Sequence, residues 1–222
     1  MNPTICRRIR CTPARVAPAL AFISCMGVLS TGCRVEAPER SEAEERARTT
    51  GYRGILLPEA GPRPDFVLTD AQGSAFDFRL HTEGDLALLF FGYTYCPDVC
   101  PVHMASLAAV KRDLSVDEQR RIQVIFVTAD PRRDTPERLR EWLANFDPEF
   151  VGLRGSEAEV DSIMLGLGLP PAIRDTAAGP DYAVGHASQV IAFPPGDGFR
   201  VIYPFGTRQA DWKHDLSKLL NR

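Results

Sequence analysis

Six consecutive apolar residues, Leu86-Ala87-Leu88-Leu89-Phe90-Phe91, run without a break into Gly92-Tyr93-Thr94-Tyr95-Cys96-Pro97-Asp98-Val99-Cys100-Pro101. A run this short cannot cross a bilayer, and it lacks the apolar–polar alternation of a strand with one wet face. It fits a central strand covered on both sides, which demands flanking helices and restricts the chain to an α/β architecture. Two thiols then stand four positions apart, where that strand should hand over to a helix.

The rest of the chain supplies the partners. Residues 122–127 form a second apolar run and a second central strand. Residues 65–69 and 75–78 flank Asp70-Ala71-Gln72-Gly73 and predict a hairpin, as do residues 189–193 and 200–203 around a Pro/Gly-rich turn. Helical periodicity covers residues 101–114, 156–167 and 211–220, and a short strand is expected at 150–153. Thr135-Pro136 marks a capped helix start with proline at its first position, and that helix should reach about residue 146. The order is hairpin, strand–helix–strand–helix, then hairpin–helix. It predicts a thioredoxin-like α/β fold, a central mixed sheet flanked by helices with an N-terminal hairpin, over residues 54–222. Trp142 and Trp212 lie on apolar helix faces and read as core residues.

The N-terminus has a different character. Arg7, Arg8, Arg10 and Arg15 precede a charge-free stretch, 16–29, that ends in Gly32-Cys33. Residues 1–33 therefore read as a lipoprotein-type signal peptide, with Ser30 departing from the usual aliphatic residue, or as a membrane anchor; the stretch is shorter than the roughly 20 residues of a spanning helix. Lipidation at Cys33 would tether the domain to a membrane, facing the periplasm or another extracytoplasmic space. Residues 34–53 are a charged linker with too few large apolar groups to fold alone. Cys6, Cys11 and Cys25 would depart with the leader, which leaves Cys96 and Cys100 as thiols. Loss of four arginines would also move the net charge from −3 to −7. No basic stripe follows the leader, so nucleic acid is not an expected partner.

Two thiols kept close in an oxidising compartment need a chemical reason. Pro101 is expected at the first helical position with Cys100 as N-cap, so both sulfurs approach the positive end of a helix and favour the thiolate. Such a pair suits disulfide exchange or metal capture, and a third soft ligand separates the two. His186 stands just before the predicted strand at 189–193, which in a thioredoxin-like sheet neighbours the strand that feeds the cysteines. A Cys2His set suits Cu(I), and Zn²⁺ accepts the same donors but prefers a fourth. His103 reads as a partly exposed first-turn residue, with an auxiliary ligand role as the alternative. Met104 reads as core, and His81 and His214 carry no signal. Asp134 and Thr135 read as caps of the next helix, and Asp130 as either a support for the ligands or a loop-structural residue.

Three segments together resemble the Sco/SenC/PrrC family: Phe91-Gly92-Tyr93-Thr94-Tyr95-Cys96-Pro97-Asp98-Val99-Cys100-Pro101, Asp130-Pro131-Arg132-Arg133-Asp134-Thr135-Pro136 and Tyr182-Ala183-Val184-Gly185-His186. The resemblance implies a thioredoxin-like copper-binding protein that assists assembly of the dinuclear copper centre of cytochrome c oxidase. It implies Cys96, Cys100 and His186 as ligands of copper, as Cu(I) and also as Cu(II), with Cys96 and Cys100 also cycling through a disulfide. The implied partners are the copper-bearing oxidase subunit, a periplasmic thiol reductant and other copper chaperones. Three positions depart from the family pattern: Tyr95 replaces the usual His, Gly185 replaces an Asp, and Ala187 replaces Ser or Thr. Loss of the Asp removes a negative charge beside the metal and should weaken Cu(II) more than Cu(I). The expectation is a metallochaperone rather than an enzyme. The alternatives are a thiol–disulfide oxidoreductase and a redox or copper sensor. A peroxidase would need an arginine beside Thr94, and none is evident in the sequence.

Overall fold

The computed structural model of the protein describes residues 41–196 and 198–221. The leader, Cys6, Cys11, Cys25, the lipidation candidate Cys33 and the first part of the 34–53 linker lie outside the described residues. In chain order the elements are α1 (Glu42–Thr50), β1 (Ile55–Pro58), β2 (Val67–Asp70), β3 (Ala75–Asp77), α2 (Phe78–His81), β4 (Leu86–Gly92), α3 (Val99–Arg112), α4 (Val116–Arg120), β5 (Ile122–Thr128), α5 (Pro136–Ala144), β6 (Val151–Arg154), α6 (Glu157–Gly166), β7 (Ile173–Arg174), a 3-10 turn (Thr176–Ala178), β8 (Val184–Gly185), β9 (Val190–Phe193), β10 (Phe199–Tyr203) and α7 (Gln209–Leu220).

Eight strands form one mixed sheet in the order β1-β10-β9-β4-β5-β6-β2-β3. Every residue of β4 is buried, as is all of β5 except Gln123. They pair in parallel, from Leu86↔Ile122 to Gly92↔Thr128, with β6 parallel on the far side of β5. On its other edge β4 pairs antiparallel with β9, Leu89 opposite Ile191. The chain therefore leaves β4 and enters β9 at one end of the sheet. The segment that follows β5 emerges there too. Connections diverge on either side of β4, and α/β sheets place their ligand crevices at such a switch point.

The sheet and its helices have the expected thioredoxin-like arrangement, and the β2–β3 hairpin occupies one edge. The strand β1 beside β10 and the two-residue β7–β8 ladder are additions to the expected elements. Within the linker, Ser41 and Glu44 form a capping box that starts α1, and Gly51 in a left-handed conformation ends it; none of its residues is buried. Tyr52 is in the core, and the buried carboxylate of Asp215 accepts hydrogen bonds from the backbone N–H groups of Arg53 and Gly54 and from the Tyr203 hydroxyl.

The start of α3 corrects the sequence reading. The helix begins at Val99, with Asp98 as N-cap and its side chain accepting from the Val99 N–H at 2.7 Å. Pro101 is the third helical residue rather than the first. Proline costs no bond there, because the first-turn N–H groups have no partner within the helix, and aspartate caps better than cysteine. Cys100 is thus inside the first turn, pointing into the core.

Gly92 makes room for it. A Cβ on Gly92 would lie 2.8 Å from Cys100 Sγ and within 2.9 Å of the Phe90 and Phe126 rings. Gly92→Ala is expected to destabilise the domain by about 1–3 kcal/mol, the usual cost of overpacking, and to displace Cys100. Urea unfolding measures the first effect, and an unchanged midpoint would refute it.

Candidate metal centre

Three loops meet at this end of the sheet. The turn after β4 carries Cys96, the first turn of α3 carries Cys100, and the segment between β8 and β9 carries His186. The Cys96 and Cys100 sulfurs and a His186 ring nitrogen all lie within 4.8 Å of one another, the one such His/Cys/Asp/Glu group among the described residues. Both thiols are free, Cys100 fully buried and Cys96 partly exposed. A cavity of about 320 Å³ opens on Cys96 and His186, walled by Tyr93, Pro97, Val99, Val184 and Ser188 among others.

The orientation of each donor has a local cause. The Cys100 N–H, unpartnered within the first turn, donates to Cys96 Sγ at 3.4 Å. The His186 Nδ1–H donates to its neighbour's carbonyl, Ala187 O, at 2.9 Å, which leaves the Nε2 lone pair facing Cys100 Sγ at 3.6 Å. The edges of the Phe90 and Tyr93 rings contact the His186 ring at centroid distances of 5.8 and 5.7 Å. The two thiols do not share the low pKa expected from the helix end. The Cys100 thiol donates to the Cys96 sulfur, and with the backbone N–H groups of Cys100 and Asp98 this holds Cys96 down to about 5. The same hydrogen bond, followed by burial, pushes the Cys100 thiol up.

Arg133 binds the loops to each other. Its Nε donates to Asp130 Oδ2 at 2.5 Å, and its terminal nitrogens donate to Pro180 O and Tyr182 O at 3.2 and 2.8 Å. Its guanidinium lies 3.6 Å from the Tyr182 ring centroid and 5.0 Å from that of Tyr95, which precedes Cys96. Asp130 also accepts from the Tyr182 hydroxyl at 2.6 Å. It is thus a support of the approach to His186, outside the cysteine–histidine group. Arg174 on β7, paired with Asp161, adds a hydrogen bond to Ala129 O at 2.7 Å. These arginine roles have no signature in the sequence, because the partners are carbonyls and rings from distant segments.

Asp134 differs from its expected capping role, which Thr135 fills alone. It is buried and accepts from Thr94 N, Thr94 Oγ1 and Thr128 Oγ1, so it fixes the turn after β4 to the end of β5. Burial pushes its carboxyl up despite these donors. An arginine does reach Thr94: Arg138 Nε donates to its hydroxyl at 3.0 Å, but that hydroxyl is committed to Asp134. His103 is 4% exposed rather than partly open, and its Nε2–H donates to Ser188 O at 2.8 Å. Met104 is in the core as expected. A Cβ on Gly185 would meet only Ile173, at 3.7 Å or more, so the backbone has space for the family's aspartate there.

The sequence model described as SCO1/SenC matches residues 58–221. A relative from Stutzerimonas stutzeri whose name proposes copper binding is 31% identical over 146 residues, 66% of this chain and 71% of its own length. The chain spans about half, 47%, of the length of several other curated relatives. The solution structure of apo Sco1 from Thermus thermophilus is 31% identical, with a TM-score of 0.67 over 76% of this chain and 96% of that one. Copper-bound ScoI of Bradyrhizobium japonicum is 29% identical, with a TM-score of 0.63 over 70% of this chain and 98% of that one.

Alkylation of Cys96 is expected to accelerate as pH rises through about 5 and to level off above about 7, since only the thiolate reacts. Cys100→Ala removes the donated hydrogen bond and should move the midpoint up toward the ordinary thiol value of about 8.5. Matching profiles in the two proteins, followed by iodoacetamide and peptide mapping, would contradict the assigned cause.

Proposed function

The chain belongs to the SCO1/SenC family, and from that premise we propose that it is an extracytoplasmic copper metallochaperone that holds copper through Cys96, Cys100 and His186. The single observation that carries this reading is the convergence of two sulfurs and an imidazole nitrogen within 4.8 Å, with no carboxylate in the group. Soft thiolates with one imidazole suit Cu(I), whereas hard cations such as Mg²⁺ and Ca²⁺ select oxygen donors. Copper in the B. japonicum relative supports the choice of ion.

Delivery follows from the unequal exposure of the sulfurs. Cys96 is the accessible donor, so an incoming thiolate of a recipient displaces it first, and Cys100 and then His186 release the ion afterwards. At each step a donor of the recipient takes the place of one donor here, a thiolate for Cys96 and for Cys100 and a further recipient donor for the His186 imidazole, and no electron moves. When Cys96 and Cys100 are joined as a disulfide, loading requires prior reduction by a dithiol partner, which supplies two electrons and two protons and becomes the disulfide. The recipient on this reading is the copper-bearing subunit of cytochrome c oxidase, the complex whose assembly defines the Sco family. Other copper chaperones would supply the ion. The arginine-rich leader with Gly32-Cys33 supports a lipid tether on the extracytoplasmic side of a membrane. Among the described residues no helix is long and apolar enough to cross a membrane.

The low pKa of the partly exposed Cys96 beside a buried Cys100 favours one second reading, a thiol–disulfide oxidoreductase. His186→Ala separates the two. It is expected to abolish stoichiometric Cu(I) uptake by the reduced protein, measured by competition with a chromogenic Cu(I) chelator, while thiol titration still finds both cysteines reactive. Unchanged copper uptake would leave dithiol chemistry as the function.

A further inference from the structure

His103 has no part in the donor group, yet it is buried on the same helix that presents Cys100. Its ring packs against Phe90 of β4 with centroids 5.0 Å apart, and the half-exposed Phe205, from the segment after β10, covers it edge-on at 5.5 Å. Phe90 also receives the His186 ring, so one aromatic side chain supports both imidazoles. The Nε2–H of His103 is spent on Ser188 O at 2.8 Å, two residues beyond His186. The carbonyl between them, Ala187 O, accepts from His186 Nδ1. A strand-entry segment carrying a ligand thus hangs on an imidazole fixed to α3. Without that donor the part-buried Ser188 carbonyl loses its hydrogen bond, and the segment is free to take another position.

On the reading of the site as a copper centre, we infer that His103 is a positioning residue for copper capture: from the helix of Cys100 it holds the 186–188 segment so that His186 Nε2 stays opposed to the two sulfurs. On its β9 side His186 gains this backbone-mediated support, whereas Arg133 and Asp130 act on the chain before it. Removing outer supports of this kind typically lowers metal affinity by about 10–100-fold, and an indirect support belongs at the lower end.

The test compares His103→Gln, whose amide N–H can replace the donor, with His103→Leu, which keeps bulk and loses it. Leu107→Ala, in the core one turn further along the same helix, controls for general destabilisation. His103→Leu is expected to bind Cu(I) about 10-fold more weakly and to change the Cu(II) electron paramagnetic resonance and thiolate charge-transfer spectra. His103→Gln and Leu107→Ala should match the wild-type spectra, and Cys96 alkylation should be unchanged in all three. Equal spectra for His103→Leu and wild type would overturn the inference, as would a His103→Gln spectrum as altered as that of His103→Leu. Nitrogen-15 NMR of the wild type needs no variant: the His103 ring should keep the Nε2–H tautomer with and without Cu(I), and a metal-shifted His103 nitrogen would make it a ligand and refute a positioning role. A wild type that takes up no copper would overturn this inference together with the proposed function, whereas normal uptake with an indifferent His103→Leu would overturn the inference alone.

Discussion

The pairing of β9 with β4 is the constraint on which the site depends. Cys100 and His186 are 86 residues apart in the chain. They meet because β9 runs antiparallel to β4, which brings its entry beside the β4 exit. Both strands are buried throughout, so close packing of unequal side chains fixes that register: a one-residue slip would exchange small Ala192 with the bulky Ile191 and Phe193 between the two faces. The parallel β4–β5 ladder then adds the 129–135 segment to the same end, where Asp134 and Arg133 tie the three loops together.

On this frame the two thiols differ by environment. Cys100 is enclosed by β4, Gly92 and α3, and it donates to its neighbour; Cys96 lies on the turn, close to the helix N-terminus and open to the cavity. One sulfur is therefore an anchor and the other a handle. A site that must release its ion to another protein benefits from that division, because exchange can begin at the accessible sulfur while the remaining donors retain the metal. The surrounding polar groups are largely satisfied by one another, so the donor group faces few competing charges.

Much of this was legible in the sequence because it rests on local pattern. Uninterrupted apolar runs marked β4 and β5, Thr135-Pro136 marked the start of α5, and His186 stood immediately ahead of an apolar run that could only be a neighbouring strand. The start of α3 was misread because proline is tolerated throughout the first turn, and Asp98 is the stronger cap. His103 was misjudged because its burial comes from Phe205, more than a hundred positions away. Asp134 has the composition of a cap but is used by Thr94 and Thr128. The β7–β8 ladder is too short to carry any periodicity, and the reach of Arg133 to carbonyls depends on tertiary structure alone.

X-ray absorption at the copper K edge of the reduced, Cu(I)-loaded protein tests the convergence of the three donors most directly. Two sulfurs and one nitrogen are expected around copper, with the multiple scattering of a single imidazole. A sulfur-only shell without imidazole scattering would contradict it.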